Sequence, residues 1–293
     1  MKASRSLFLQ IRRLRTHVRC WGEETAPVLV LLHGWGDVSA SWQFVVDALA
    51  GNWRVLAPDW RGFGLSQGNG GSYWFPDYMA DLDALLEVLS PDAPATLVGH
   101  SMGGNIACLY AGVRPERVAR LVSLEGIGLA WHGPEEAPDR YAKWLEQLRD
   151  DSAEFRAFPD RAALAARLLR KNPRLTAERA EFLAAHMGEE FVTAEGTAAV
   201  RLAADPGHRW VNPVLYRVEE AMACWKRIVA PTLWIGARDS FLFRDFFAHD
   251  SDEYRMRKAC FADIRETMIE DSGHNMHHDQ PERVARVLEE FCA

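Results

Sequence analysis

The sequence predicts an α/β protein with a mostly parallel sheet covered by helices on both faces. Three observations carry that prediction. Short, almost wholly apolar runs recur along the chain, Val28-Leu29-Val30-Leu31-Leu32 being the clearest, and such runs mark strands buried on both faces. Between most of them lie stretches with apolar residues at helical spacing, such as Trp42, Val45, Val46 and Leu49. Regular alternation of the two patterns is what a sheet of parallel strands with crossover helices produces in sequence.

Taken in order, Leu7 to Ile11 and Thr16 to Trp21 read as the first two strands and Val28 to Leu32 as the third. Further strand-like runs stand at Arg54 to Ala57, Ala95 to Val98, Leu121 to Leu124, Thr232 to Ile235 and Ile264 to Ile269. Helical spacing returns at Ile106, Leu109, Tyr110 and Val113, and again at Val284, Val287, Leu288 and Phe291. Pro281 precedes the last of these, where a first-turn proline costs no hydrogen bond. From about Trp131 to Val229 the strand signals stop. Helical patterns such as Tyr141, Trp144, Leu145 and Leu148, and the stretch Arg161 to Arg170, take over there, punctuated by turns at Asn172-Pro173, Asp205-Pro206-Gly207 and Asn212-Pro213. The expected organisation is a core of residues 1–130 and 230–293 interrupted by an all-helical cap, 131–229.

Composition narrows the function. The chain has 293 residues, with 34 Lys and Arg against 41 Asp and Glu, a net charge of −7 that provides no basic field for a phosphate backbone. No nucleic-acid partner is expected. At 48% hydrophobic and 26% charged residues the composition is that of a folded globular protein, and no tract approaches the roughly 18 consecutive apolar residues of a membrane span. The 5 cysteines, Cys20, Cys108, Cys224, Cys260 and Cys292, are scattered without a C-x-x-C pair and read as reduced thiols. Met1 to Arg15 contains no apolar signal-peptide core, so a cytoplasmic location is expected.

The chemistry centres on Gly99-His100-Ser101-Met102-Gly103, a G-x-S-x-G match. Such a match arises by chance in about one chain in ten of this length. Here it follows the strand Ala95 to Val98 and opens the helix of Gly104 to Val113, which is the strand-turn-helix context of a nucleophile elbow. A serine hydroxyl is a poor nucleophile at neutral pH and needs a base oriented by a third group. Of the three histidines in Ser272-Gly273-His274-Asn275-Met276-His277-His278, His274 stands closest to the end of the preceding strand and is the expected base. No cysteine or second carboxylate cluster lies nearby in sequence to complete a ligand set, so His277 and His278 are expected to pack or to be solvated, and no metal site is expected.

Two residues compete for the acid. Asp239 follows the strand Thr232 to Ile235 in the tight turn Gly236-Ala237-Arg238-Asp239 and is preferred; Glu125, at the end of the strand Leu121 to Leu124, is the alternative. An oxyanion hole needs two converging backbone N–H groups. Met102, at a helix start, and Trp35, in the glycine-rich exit His33-Gly34-Trp35-Gly36 from the third strand, are the expected donors.

With these motifs in view the sequence resembles the α/β-hydrolase superfamily over nearly its whole length. The resemblance rests on His33-Gly34-Trp35, Asp59-Trp60-Arg61-Gly62-Phe63-Gly64-Leu65-Ser66, Gly99 to Gly104, Gly236 to Asp239 and Gly273-His274, in the family's order. It implies an eight-stranded sheet, a helical cap inserted after the sixth strand, and a triad of Ser101, Asp239 and His274. It assigns the Asp59 to Ser66 loop no chemistry. Haloalkane dehalogenases and epoxide hydrolases of the superfamily use an aspartate nucleophile, which position 101 does not supply. Proline iminopeptidases and the carbon–carbon hydrolases differ at the oxyanion turn, and the texture is similar to the serine-hydrolase-like branch.

The activity implied is two-step acyl transfer from a small-molecule carboxylic ester to water, with no cofactor. Trp35, Trp42, Trp60, Trp74, Trp131, Trp144, Trp210 and Trp225 fall in segments that the resemblance places near the site or in the cap, favouring an apolar acyl group. The basic stretch Arg161, Arg167, Arg170, Lys171 and Arg174 offers attraction for anions or a solvated face. Acyl transfer to peroxide or another acceptor, carbon–carbon bond cleavage with the same residues, and ligand binding without catalysis are the alternatives.

Overall fold

A computed structural model of the chain describes residues 1–150, 154–242 and 251–292. Strands β1 (Arg5–Ile11), β2 (Leu14–Trp21), β3 (Val28–Leu32), β4 (Arg54–Pro58), β5 (Ala95–His100) and β6 (Val118–Leu124) precede the insertion. A hairpin within it supplies β7 (Gly188–Val192) and β8 (Ala198–Leu202), and β9 (Thr232–Ala237) and β10 (Ile264–Ile269) follow. Eight of these form one sheet in the order β1-β2-β4-β3-β5-β6-β9-β10. Its first two pairings are antiparallel and the other five parallel. The expected α/β-hydrolase sheet is therefore observed.

Period-two alternation in β3 shows how the sheet divides the interior. Val30 and Leu32 face one layer, with Leu97, Leu121, Ile106 and Tyr110, while Leu29 and Leu31 face the other, with Val98, Val122, Val45 and Leu288. Helices α1 (Gln43–Ala48) and α10 (Pro281–Cys292) cover the second face. Helices α2 (Phe75–Leu89) and α3 (Met102–Val113) cover the first. Tyr78, Leu82, Leu85, Leu86 and Leu89 put α2 on the sheet at helical spacing, although the sequence reading does not include that helix. The β1–β2 turn consists of Arg12 and Arg13 at φ 43° and 72°, a left-handed pair that two-residue hairpins usually assign to Asn-Gly. Arg12 offsets this strain with ion pairs to Asp77 and Asp81.

The insertion departs from the all-helical expectation. Helices α4 (Ala137–Arg149), α5 (Arg161–Lys171) and α6 (Ala177–Met187) are followed by the antiparallel β7–β8 hairpin. Glu189 and Glu190 make β7 too polar to announce itself as an apolar run. Pairing with β8 holds it instead, together with the Arg201–Glu189 ion pair across the hairpin at 2.7 Å. The expected boundary near residue 230 also shifts. Helix α7 (Val218–Trp225) packs on α3, and its Ala221 and Trp225 join the core cluster under the sheet. Later come α8 (Asp252–Lys258) and α9 (Met276–Asp279). Among the described residues, no helix is long and apolar enough to cross a membrane.

Candidate active site

Ser101 sits between β5 and α3 at φ 52°, ψ −114°, a conformation that costs a non-glycine residue about 1–3 kcal/mol. The turn is too tight for side chains on either side of it. A Cβ on Gly99 would lie 2.4 Å from the Gly103 backbone, and one on Gly103 would lie 2.3 Å from the Leu32 carbonyl oxygen. The Ser101 N–H donates to Leu124 O at 2.8 Å, and its carbonyl accepts from Asn105 at 2.9 Å. These bonds hold the strained residue at the carboxyl edge of the sheet.

The Ser101 Oγ lies 2.9 Å from His274 Nε2. On the other side of the ring, His274 Nδ1 lies 2.5 Å from Oε2 of Glu125. Glu125 is fully buried at the end of β6, itself at φ 57°. Its carboxylate accepts from the Ala237 N–H at 2.9 Å and the Ser240 hydroxyl at 2.7 Å, so every oxygen is satisfied and the side chain is held in one pose.

The preferred acid is thereby corrected. Asp239 does not reach His274: it is half-exposed and accepts from Arg174 of the cap at 2.6 Å. The physical reason lies in the turn after β9. Ala237 and Ser240 aim their donors back at the neighbouring strand's Glu125, which fills the position beside His274, and Asp239 is left at the rim.

The turn expected to supply oxyanion donors is held by His33. Its Nδ1 donates to the Gly34 carbonyl at 2.7 Å, and its Nε2 accepts from the Trp60 N–H at 2.9 Å. Burial pushes the His33 pKa down, which keeps this tautomer neutral. Trp60 returns a second bond from its indole to the His33 carbonyl at 2.9 Å. Trp35 is half-exposed beside Ser101, and Met102 begins α3, where an N–H has no acceptor within the helix.

A pocket of about 160 Å³ opens on Ser101 and His274, walled by Trp35, Leu168, Leu175, Leu183 and Met187, with Lys171 and Asn172 among its lining residues. Of the tryptophans expected near a substrate, Trp35 alone lines it. Trp42, Trp60 and Trp225 are buried in the core, Trp131 is exposed, and the Trp144 indole bonds Ser72. The walls are chiefly aliphatic, from α5 and α6. A larger cavity of about 340 Å³ lies elsewhere, between Trp74, Met79, Leu109, Val214 and Cys224, and neither Ser101 nor His274 lines it.

Sequence reasoning missed what stands behind Ser101 and His274. Asp37, buried, accepts from Val38 N–H and Ser41 Oγ at 2.8 Å each and lies 3.2 Å from His277 Nε2. Burial alone would raise its pKa, but the His277 hydrogen bond and the neighbouring imidazoles hold it well below the usual carboxylate range. His100 donates from Nε2 to the His274 carbonyl at 2.8 Å. Burial lowers the pKa of His278 to about 3. Asp37 is 240 residues from His277 in sequence, so no local pattern could pair them.

A mostly parallel sheet whose carboxyl edge presents a serine on a strained strand-to-helix turn defines the class of α/β-hydrolase folds. The chain belongs to the α/β hydrolase fold family, which it matches over residues 27–281. It is 28% identical over 282 residues to a serine hydrolase-like protein of Danio rerio, spanning 92% of this chain and 83% of that protein. It is 32% identical over 130 residues to the pimeloyl-[acyl-carrier protein] methyl ester esterase of Aliivibrio salmonicida, spanning 42% of this chain and 46% of that one. Among solved structures, a thioesterase domain from the curacin biosynthetic pathway superposes with a TM-score of 0.84 at 26% identity, covering 98% of this chain and 99% of that domain.

Proposed function

We propose that the protein hydrolyses carboxylic esters with small to medium apolar acyl groups through an acyl-enzyme on Ser101. The observation that carries this reading is the unbroken hydrogen-bonded line from Ser101 Oγ through His274 to Glu125 at the base of an aliphatic pocket. His274 takes the serine proton as the oxygen attacks the ester carbonyl, while Glu125 orients the imidazole and stabilises its charged form. The N–H groups of Trp35 and Met102 hold the developing oxyanion. His274 then protonates the leaving alcohol, and water activated by the same ring releases the acid and restores Ser101. A pocket of about 160 Å³ matches roughly five water volumes and suits a short acyl chain.

The esterase and thioesterase names of two similar proteins support acyl chemistry of this kind. The full-length likeness to a thioesterase domain favours a second reading, in which the leaving group is a thiol and the residues keep their roles. The test is hydrolysis of p-nitrophenyl esters from acetate to long chains, and of matched acyl thioesters, by the protein and by Ser101→Ala. Turnover that vanishes in the variant supports the acyl-enzyme, and the preferred leaving atom separates the two readings. Turnover that survives in Ser101→Ala overturns both.

A further inference from the structure

Beside the catalytic pocket, four side chains from three distant parts of the chain meet in a space that the proposed ester chemistry does not use. One ligand atom from each of Asp37, His100 and His277 lies within 4.8 Å of the others, all three residues being buried. His278 extends the group: its Nε2 lies 3.8 Å from Asp37 Oδ2, and its ring centroid is 4.0 Å from that of His277. The sequence reading finds no cysteine or carboxylate cluster to complete a ligand set around these histidines, because the fold brings Asp37 from the turn after β3.

The nitrogens are the informative atoms. His100 Nδ1, His277 Nδ1 and His278 Nε2 are all buried without a hydrogen-bond partner. Buried polar atoms are normally satisfied, and the open His100 Nδ1 and His278 Nε2 beside Asp37 call for a common ligand, whereas His277 already turns its Nε2 to that carboxylate. The tautomer of His100 is fixed by geometry. Its Nε2 donates to the His274 carbonyl, which can only accept, so Nδ1 carries a bare lone pair. An imidazole whose other nitrogen is tied to a backbone carbonyl is the usual state of a metal-bound histidine.

We propose that Asp37, His100, His277 and His278 form a binding site for a zinc-like divalent transition ion, distinct from the triad and inhibitory to it. One carboxylate and three neutral imidazoles are the donor set that borderline ions such as Zn²⁺ prefer over Mg²⁺ or Ca²⁺. The Asp37–His277 separation of 3.2 Å already suits two donors on one tetrahedral ion, for which ligand bonds of about 2.0–2.1 Å place donors roughly 3.3 Å apart. Asp37, His100 and His278 also line the pocket that holds Ser101 and His274, which gives the ion its way in. Drawing His100 toward the ion pulls on its bond to the His274 backbone, and with it the 2.9 Å contact of His274 with Ser101.

The experiment needs no substrate. Zn²⁺ binding is measured by competition against a chromophoric chelator, and Co²⁺ is added separately to read the visible absorption of a tetrahedral site. Expected are one Zn²⁺ per chain, a tetrahedral Co²⁺ spectrum, and a loss of Zn²⁺ affinity of about 100-fold or more in His277→Gln. His278→Gln, nearer the pocket and less central, should weaken binding by at least about tenfold, and it serves where His277→Gln fails to fold. Absence of stoichiometric Zn²⁺ binding, an octahedral Co²⁺ spectrum, or affinity retained in either folded variant overturns the site. Ester turnover that stays constant while the site fills with Zn²⁺ overturns the inhibitory part.

Discussion

His274 Nδ1 lies 2.5 Å from Glu125 Oε2, and the turn after β9 donates to that carboxylate with the Ala237 N–H and the Ser240 hydroxyl. The carboxylate that meets His274 therefore stands at the end of β6. Glu125→Gln is expected to lower kcat by about 10³–10⁴-fold, as the amide favours the wrong tautomer of the base. Asp239→Asn should change kcat by less than about threefold, because its half-exposed pair with Arg174 is worth under about 1 kcal/mol. Steady-state kinetics on both variants decides, and the opposite ranking would refute the assignment.

The turn after β3 that carries Trp35 has its own support. His33 ties the Gly34 carbonyl to the Trp60 N–H through one neutral ring. His33→Ala should lower kcat by about 10-fold or more while KM moves little, because the loss falls on donors that act in the transition state. A rise in KM alone would mean that the ring merely shapes the pocket.

Cap and core are joined by a histidine whose protonation the fold resists. His208 stacks between Phe63 and Tyr73 at 3.8 and 3.7 Å between centroids, donates from Nε2 to Arg61 O and accepts at Nδ1 from the Tyr78 hydroxyl. Burial lowers its pKa to about 4, against roughly 6.5 in the unfolded chain. Above pH ~6.5 both states are neutral and the stabilisation is complete. As pH falls from there the unfolded chain takes up the proton first, so stability is lost until the folded ring titrates near pH 4. Between pH ~7.5 and ~5 the wild type should lose about 2 kcal/mol more than His208→Gln in denaturant unfolding. Equal losses would show that the ring is not held neutral.

Pocket depth is set by aliphatic side chains of α5 and α6. Leu168→Ala should move the preferred p-nitrophenyl ester toward longer acyl chains at a modest cost in stability, since Leu168 is only partly buried. An unchanged chain-length profile would place the acyl group elsewhere, the larger cavity near Trp74 being the next candidate.

Much of this was legible in the residues. Strand-like stretches and short apolar runs located the eight sheet strands, and Gly99, Ser101 and Gly103 marked the elbow because a steric demand fixes small residues there. What escaped the sequence depends on contacts between distant segments. The choice between Asp239 and Glu125 turned on which way the Ala237 and Ser240 donors point, and spacing does not record that. The β7–β8 hairpin hid because Glu189 and Glu190 keep β7 from reading as an apolar run, although Val200 of β8 joins the core. The tryptophans misled: of the eight, Trp42, Trp60 and Trp225 went to the core and Trp35 alone lines the pocket at Ser101.

Glu125 stands at the last step of the sheet before the chain leaves for the insertion, and helix α7 on the return path belongs to the core. That geometry dictates where the protein can be cut and rejoined. A recombinant that exchanges the inserted segment with a relative's keeps the Ser101–His274–Glu125 contacts and the packing of α7 only if the outgoing seam falls beyond Glu125 and the returning one before Val218. Joints at residues 131 and 229, the bounds read from sequence, would carry away the sheet's packing helix, and an outgoing seam before Glu125 would discard the carboxylate beside His274.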